Sequence, residues 1–297
     1  MTQRPAIDTA LALRREGEAA ASSLPPLLVA AEHLASTVQM GGHGRRRAGA
    51  GAEFWQFRPA HEGDEARLID WRRSARSDLQ IIRDREWQAA QSVHLWVDDA
   101  ASMQFSGAKA RPEKSARARL LALALAVLMI RAGERVGLAG PLAPPRPGKA
   151  QLMQLAALLS AEGAGADYGV PEASAIIARS RAVFMSDFMG DPGPVQSALG
   201  ALADRGVNGV MLQVLDPVEE EFPFDGRTIF ESIGGTLRYE TRQAGDLRSR
   251  YRDRLAERRA LLASLARSAG WQFSTHHTGE SAQAALLWLY AALERRR

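Results

Sequence analysis

The segment Val93-His94-Leu95-Trp96-Val97-Asp98-Asp99-Ala100-Ala101-Ser102-Met103 is a short apolar run that ends abruptly in two carboxylates and a hydroxyl. An apolar run of strand length that closes on polar, turn-forming residues reads as a buried strand delivering side chains to a loop. In an open α/β sheet, ligands collect outside the carboxyl ends of the strands. Asp98, Asp99 and Ser102 therefore stand where a site belongs.

Downstream of this run the pattern alternates. Candidate strands at 93–98, 135–139, 182–187, 210–215 and 271–276 are separated by helical segments near 115–132, 150–161, 194–205 and 245–269. Strand–helix alternation needs crossover connections, and it predicts a doubly wound, mostly parallel sheet with helices on both faces. The Ser115 hydroxyl is placed to cap the long helix that begins there. A hairpin is expected at 228–233 and 236–240 around Gly234-Gly235, and the leucines of 282–293 predict a closing helix.

Upstream, residues 6–39 have helical spacing in two pieces broken by Pro25-Pro26, giving a helical lead-in over 1–40. The stretch Gly41 to Gly51 brings five glycines and three arginines, Arg45, Arg46 and Arg47, into eleven residues and predicts a loop. Residues 41–90 form a small β-rich subdomain, with Phe54, Trp55, Phe57 and Trp71 as its core and Asp64, Arg67, Asp70 and Arg76 as ion pairs around it. Within it, 80–87 contains a strand returning toward the main sheet. Residues 91–297 are the α/β domain.

Composition narrows the classes. A chain of 297 residues that is 46% hydrophobic can build a substantial core. It has no cysteine, which excludes disulfides, thiolate zinc and a cysteine nucleophile. Its start, Met1-Thr2-Gln3-Arg4-Pro5, lacks the pattern of a secretory signal, so a cytoplasmic location is expected. The longest apolar run, Leu120 to Ile130, is far short of the roughly 20 residues a membrane helix needs. The formal charge of +4 comes from 38 basic and 34 acidic residues, largely interleaved, which predicts a mixed, solvated surface.

Gly63-Asp64, Ile69-Asp70-Trp71, Ser74-Ala75-Arg76 and Val97-Asp98 to Met103 occur in an order and spacing that resembles the DUF58 family, as do Val214-Leu215-Asp216-Pro217, Phe222-Pro223-Phe224 and Phe230-Glu231. The resemblance implies a C-terminal domain like the von Willebrand factor type A domain, itself Rossmann-like, with a possible metal-ion-dependent adhesion site. It also implies work as an adaptor or assembly factor beside a MoxR-type AAA+ ATPase, acting on a client protein.

Such an adhesion site holds Mg²⁺ through D-x-S-x-S, a distant threonine and an aspartate ending another strand, because a hard cation prefers oxygen ligands. Asp98, Ser102 and Asp187 match that pattern, with Asp99 a possible helper. The first serine has become Ala100, and no threonine lies between Met103 and Asp187. In the preferred alternative, Asp98 and Asp187 accept backbone hydrogen bonds and hold the loops.

Catalytic patterns fail on inspection. Gly148-Lys149-Ala150 lacks the hydroxyl of a phosphate loop, His61-Glu62 lacks the second histidine of a zinc helix, and there is no G-x-S-x-G elbow. The expectation is a non-enzymatic interaction module. One rival is a divalent-metal hydrolase built on Asp98, Asp99 and Asp187. The other is nucleic-acid binding by the arginine-rich 41–90, whose ten arginines against eight acidic residues leave a net of only +2. Arg45 to Arg47 remain a candidate contact for an acidic partner.

Overall fold

Residues 42–91 form one unit, and residues 1–41 with 92–297 form another. The computed structural model describes residues 25–38, 45–49, 53–61, 69–76, 79–161, 166–231 and 238–294.

In the smaller unit, Arg45–Gly49 (β1), Glu53–Pro59 (β2) and Ile81–Ala89 (β3) make an antiparallel sheet of order β1-β3-β2. One expectation changes here. The arginines at 45–47 lie in a strand and not in a loop, because β3 supplies a ladder running from Arg45 opposite Ala89 to Gly49 opposite Arg85. The strand expected at 80–87 is present as β3, the centre of this sheet. Between β2 and β3, Trp71–Ser74 is a single helical turn capped by Asp70, whose Oδ1 accepts from the Arg73 amide at 3.0 Å.

The larger unit begins with Pro26–Ser36 (α1), where Pro26 occupies the first-turn position at which a missing N–H costs nothing. Then follow Ser92–Val97 (β4), Lys114–Arg131 (α2), Arg135–Leu138 (β5), Lys149–Ser160 (α3), Arg181–Ser186 (β6), Pro192–Asp204 (α4), Asn208–Leu215 (β7) and Pro217–Glu221 (α5). Thr228–Glu231 (β8) and Arg238–Thr241 (β9) pair as an antiparallel ribbon, and Arg248–Ser268 (α6), Gln272–His277 (β10) and Ala282–Glu294 (α7) complete the order. Five strands form a parallel sheet in the order β10-β7-β6-β4-β5.

Both faces of this sheet are covered, which is why its strands read as unbroken apolar runs. Val93, Leu95, Val183, Met185, Val210, Leu212 and Val214 face one core with α1, α2, α3 and α7. Ala182, Phe184 and Met211 face the other, with α4, α6 and Trp271. The doubly wound, mostly parallel α/β architecture expected from the sequence is thus present.

Helix α2 is enclosed on every side: Leu121 to Met129 are all at most 1% exposed. A helix apolar all round needs neighbours all round. It has the sheet on one side and α1, α3 and α7 around it. The helix at 26–36, read as a separate lead-in, therefore shares the core of the larger unit through Leu28, Ala31 and Ala35. Among the described residues no helix is long and apolar enough to cross a membrane.

After β5 the chain doubles back. Leu138 donates its amide to Ala143 O at 2.8 Å, and Val136 and Arg146 bridge antiparallel. Gly137 permits the approach, since a Cβ there would lie 2.4 Å from Ala143 O. Beyond α3, Ala166 and Asp167 reach the carboxyl ends of the strands, where their carbonyls accept from the amides of Ala101 and Ser102. The segment then continues to Ala173 and Ile176, in the opposite core.

Candidate functional site at the strand ends

Three neighbouring strands, β4, β6 and β7, each end in an aspartate: Asp98, Asp187 and Asp216. The parallel register sets these ends side by side, with Val97 opposite Met185 and Ser186 opposite Gln213. Two of the anticipated residues, Asp98 and Asp187, are thereby brought together, and both are buried.

Asp98 is held on all sides. Its Oδ1 accepts from the Ala100 amide at 2.9 Å and its Oδ2 from the Ser186 hydroxyl at 2.6 Å. Ser186 Oγ in turn accepts from the Phe188 amide at 2.9 Å, and Phe188 sits in the left-handed region at φ 51. A bulky residue there carries backbone strain that surrounding contacts must hold. Gly169 lies directly over the carboxylate, and a Cβ at that position would be 2.1 Å from Asp98 Oδ1. Burial pushes the Asp98 carboxyl up from its ordinary value, with Asp187 and Asp99 adding to the rise against the hydrogen bonds from Ser186 and Ala100.

Asp187 accepts from the Met189 amide at 3.0 Å through Oδ1. Its Oδ2 accepts from Lys114 Nζ at 2.9 Å. The same ammonium donates to Glu219 Oε1 at 2.5 Å, and the lysine is 1% exposed. Burial works against its charge, but the Asp187 and Glu219 carboxylates prevail and hold its pKa above the ordinary lysine value.

Glu219 is fixed from the other side by a capping box. Its Oε2 accepts from the Asp216 amide at 2.8 Å, while Asp216 Oδ1 accepts from Val218 N at 2.9 Å. Asp216 also accepts two hydrogen bonds from Arg111, at 3.0 and 3.2 Å, and one from Thr278 Oγ1 at 3.0 Å. Although burial opposes it, these donors keep the Asp216 carboxyl below its usual value.

This geometry decides whether an adhesion-type Mg²⁺ fits. Octahedral coordination needs several free oxygens around one point. Here both oxygens of Asp98, Asp187, Asp216 and Glu219 are engaged by protein donors, and a lysine ammonium lies between two of these side chains. Ala100 contributes no hydroxyl, and Gly169 occupies the space over Asp98. Ser102 Oγ is buried with no hydrogen-bond partner among the described residues, and Asp99 is exposed. Among those residues no group of three or more His, Cys, Asp or Glu is arranged to hold a metal ion. The donor set does not fit the ion.

The sequence profile of the family described as "Protein of unknown function DUF58" matches residues 56–261. The chain belongs to the DUF58 family. No functionally curated protein matches it. Among solved structures, the conserved hypothetical protein BatB from Bacteroides thetaiotaomicron is similar over 68% of this chain and 98% of its own, at 17% identity and a TM-score of 0.39. An aerotolerance-related membrane protein from Bacteroides fragilis, carrying multiple mutations to serines, is similar over 69% and 98%, at 14% identity and a TM-score of 0.39.

The residues that carry the DUF58 resemblance upstream of the α/β domain are not part of this constellation. Asp70 caps its helical turn, Arg76 is exposed, and Trp71 is 60% exposed and not in a small core. Arg73 instead lies over the Phe57 ring, 4.0 Å from its centroid. Asp64 and Arg67 fall outside the described residues. Arg45, Arg46 and Arg47 stand in register opposite Ala89, Gln88 and Trp87.

The DUF58 site also contains groups that sequence reasoning missed: Lys114, Glu219, Arg111, Ser186 and Gly169. Ser115 does not cap α2, because the helix starts one residue earlier; its hydroxyl donates to Glu113 Oε2 at 3.3 Å, and Lys114 becomes the first helical residue. The signature Asp216-Pro217-Val218-Glu219, a capping residue with a glutamate three positions on, was the available sign that a helix begins at the β7 end. Nothing local in the sequence pairs Lys114 with its two acids.

Three arginines of α6 reach across to α5 and the residues after it, while Arg250 and Arg254 are exposed. Arg248 donates to Phe222 O and Phe224 O, and Arg252 to Glu220 O and Glu221 O, satisfying carbonyls at and beyond the end of α5. Arg259 pairs with Glu220 at 2.6 Å through two bonds, and His277 also reaches Glu220.

Proposed function

We propose that this DUF58 protein is a non-enzymatic docking or assembly module that works with a MoxR-type AAA+ ATPase on a client protein. The observation that carries the non-enzymatic part is the closed state of the strand-end carboxylates. A general base or a metal-activated water needs a free carboxylate oxygen beside the reacting atom. Those of Asp98, Asp187, Asp216 and Glu219 are all accepting from backbone amides, hydroxyls, Lys114 or Arg111. The ATPase comes from the family resemblance alone.

Docking then uses the surface around the closed centre. Asp99 is exposed at the end of β4, and Tyr168 and Val170 are exposed on either side of Gly169. The test is capture of tagged protein from its native host, with and without nucleotide, beside a Tyr168→Ser, Val170→Ser variant that melts like the parent. Recovery of an AAA+ ATPase by the parent and its loss in the variant is the expected result. Equal recovery by both, or no ATPase in either, refutes the reading. Hydrolytic turnover lost in Asp98→Asn without unfolding refutes the non-enzymatic part.

A further inference from the structure

We propose that the ammonium of Lys114 is a built-in cation standing where a divalent ion would otherwise bind, so that this rim is complete without metal. Lys114 fills this role whichever partner docks.

A parallel sheet that ends three neighbouring strands in aspartates gathers negative charge in a poorly solvated place, and buried charge must be paired or neutralised. An ion drawn from solution is one answer. A lysine tethered to the adjoining helix is another, and it depends neither on ion concentration nor on a chelator. Lys114 is the first residue of α2, and its amide is anchored to Phe105 O at 3.2 Å. From there its side chain reaches Asp187 Oδ2 and Glu219 Oε1 at 2.9 and 2.5 Å, while remaining buried.

The surroundings have the shape this substitution requires. One ammonium carries half the charge of Mg²⁺, so the remaining carboxylate needs another means of accommodation. Asp98 receives it from the Ser186 hydroxyl and the Ala100 amide, one donor to each carboxylate oxygen. Gly169 lies against the same carboxylate, where a Cβ would be 2.1 Å from Asp98 Oδ1. Because the ammonium is inaccessible, a partner's carboxylate cannot complete a coordination shell here, and adhesion through a shared metal ion is excluded for this chain.

The experiment is calorimetric titration of MnCl₂ into the full chain, with melting curves in EDTA, MgCl₂ and MnCl₂, for the parent and Lys114→Ala. The parent should show no saturable heat and one melting temperature in all three conditions. Lys114→Ala releases two carboxylates around an emptied space. It should melt lower in EDTA and recover about 5 °C in MnCl₂ at roughly a hundredfold excess over Kd. Saturable Mn²⁺ uptake by the parent that Asp98→Asn abolishes would overturn the inference. So would a folded Lys114→Ala whose melting Mn²⁺ does not raise.

If Lys114→Ala fails to fold in either condition, Lys114→Met is compared with the double variant Lys114→Met, Asp187→Asn. The double should melt above the single, because it no longer buries an unpaired carboxylate at Asp187. A double variant no more stable than the single shows that the ammonium does not serve as the cation of this site. Failure to capture an ATPase leaves all of these readouts untouched.

Discussion

Lowering the pH from neutral to 5 should remove a large part of this protein's stability, and two buried imidazoles set the size of the effect. His94 lies on β4 and His276 on β10, each almost wholly buried. Burial lowers both from 6.5 to about 4. At His94, Nε2 accepts from the Ile177 amide at 3.2 Å, which places the single proton on Nδ1, and the Arg205 charge further disfavours a second. At His276, Nε2 faces the Arg117 guanidinium at 2.9 Å, with His277 adding to the lowering and the Glu280 carboxylate offsetting part of it.

The unfolded chain takes up protons near 6.5 and the folded chain only near 4, so between those values the unfolded state holds more. The contribution is complete above the unfolded value and is lost as pH falls through the folded one. At about 1.36 kcal/mol per unit, a gap of about 2.5 units limits each histidine to roughly 3 kcal/mol, of which about 2 is gone at pH 5. Two such losses amount to about 4 kcal/mol against a total that for most domains is about 5–15. Asp98 and Glu219 work in the opposite sense: their pKa values are raised on folding, so their contribution is full below the unfolded carboxylate range and lost as pH rises through the folded values.

Urea unfolding across that pH range, with imidazole titration followed by NMR, measures both quantities. Replacing one histidine by Asn should lower neutral stability but remove about half of the pH slope, since the two sites share no partner. A stability flat from pH about 7 to about 5, or His94 and His276 resonances that titrate near 6.5, would refute the reasoning.

Three substitutions test the rim and the smaller unit. Gly169→Ala drives a Cβ to 2.1 Å from a carboxylate that is held on both oxygens; a loss of about 1–3 kcal/mol is expected, and an unchanged melting temperature would show that Asp98 can move aside. Ser186→Ala removes the donor to Asp98 and the acceptor for the Phe188 amide, costing about 1–3 kcal/mol for the polar groups left unpaired; urea denaturation reads it directly. Trp71→Ser, at a site 60% exposed, should stay within about 0.5 kcal/mol of the parent, and a drop of several degrees would mean that the indole is part of a core.

The sheet was legible because both its faces are covered. Strands buried on two sides are largely apolar, and such runs stand out between helical segments at 93–98, 182–187 and 210–215; the observed strands differ from them by one or two residues. Strand β1 was not legible, since Arg45-Arg46-Arg47-Ala48-Gly49 has the composition of a loop and its extended form is imposed by the ladder with β3. Trp71 was misread because an aromatic residue among charges is equally consistent with a small core or an exposed ring. Asp98 and Asp187 were found from their positions at strand ends. Lys114 was not, because its partners lie 73 and 105 residues along the chain and only the fold brings them near.

The groups at this rim form one set. A site that had simply decayed would leave carboxylates buried without partners, and each would cost several kcal/mol. Here Asp98 accepts from the Ala100 amide and the Ser186 hydroxyl, and Gly169 lies against that carboxylate. Positive charge is supplied by Lys114 between Asp187 and Glu219. Among these groups, only the Ser102 hydroxyl is left without a partner among the described residues. Such mutual fit is what a rearranged, self-sufficient rim requires, and it makes the response of Lys114 variants to metal a sharper guide to this protein than the acidic residues alone.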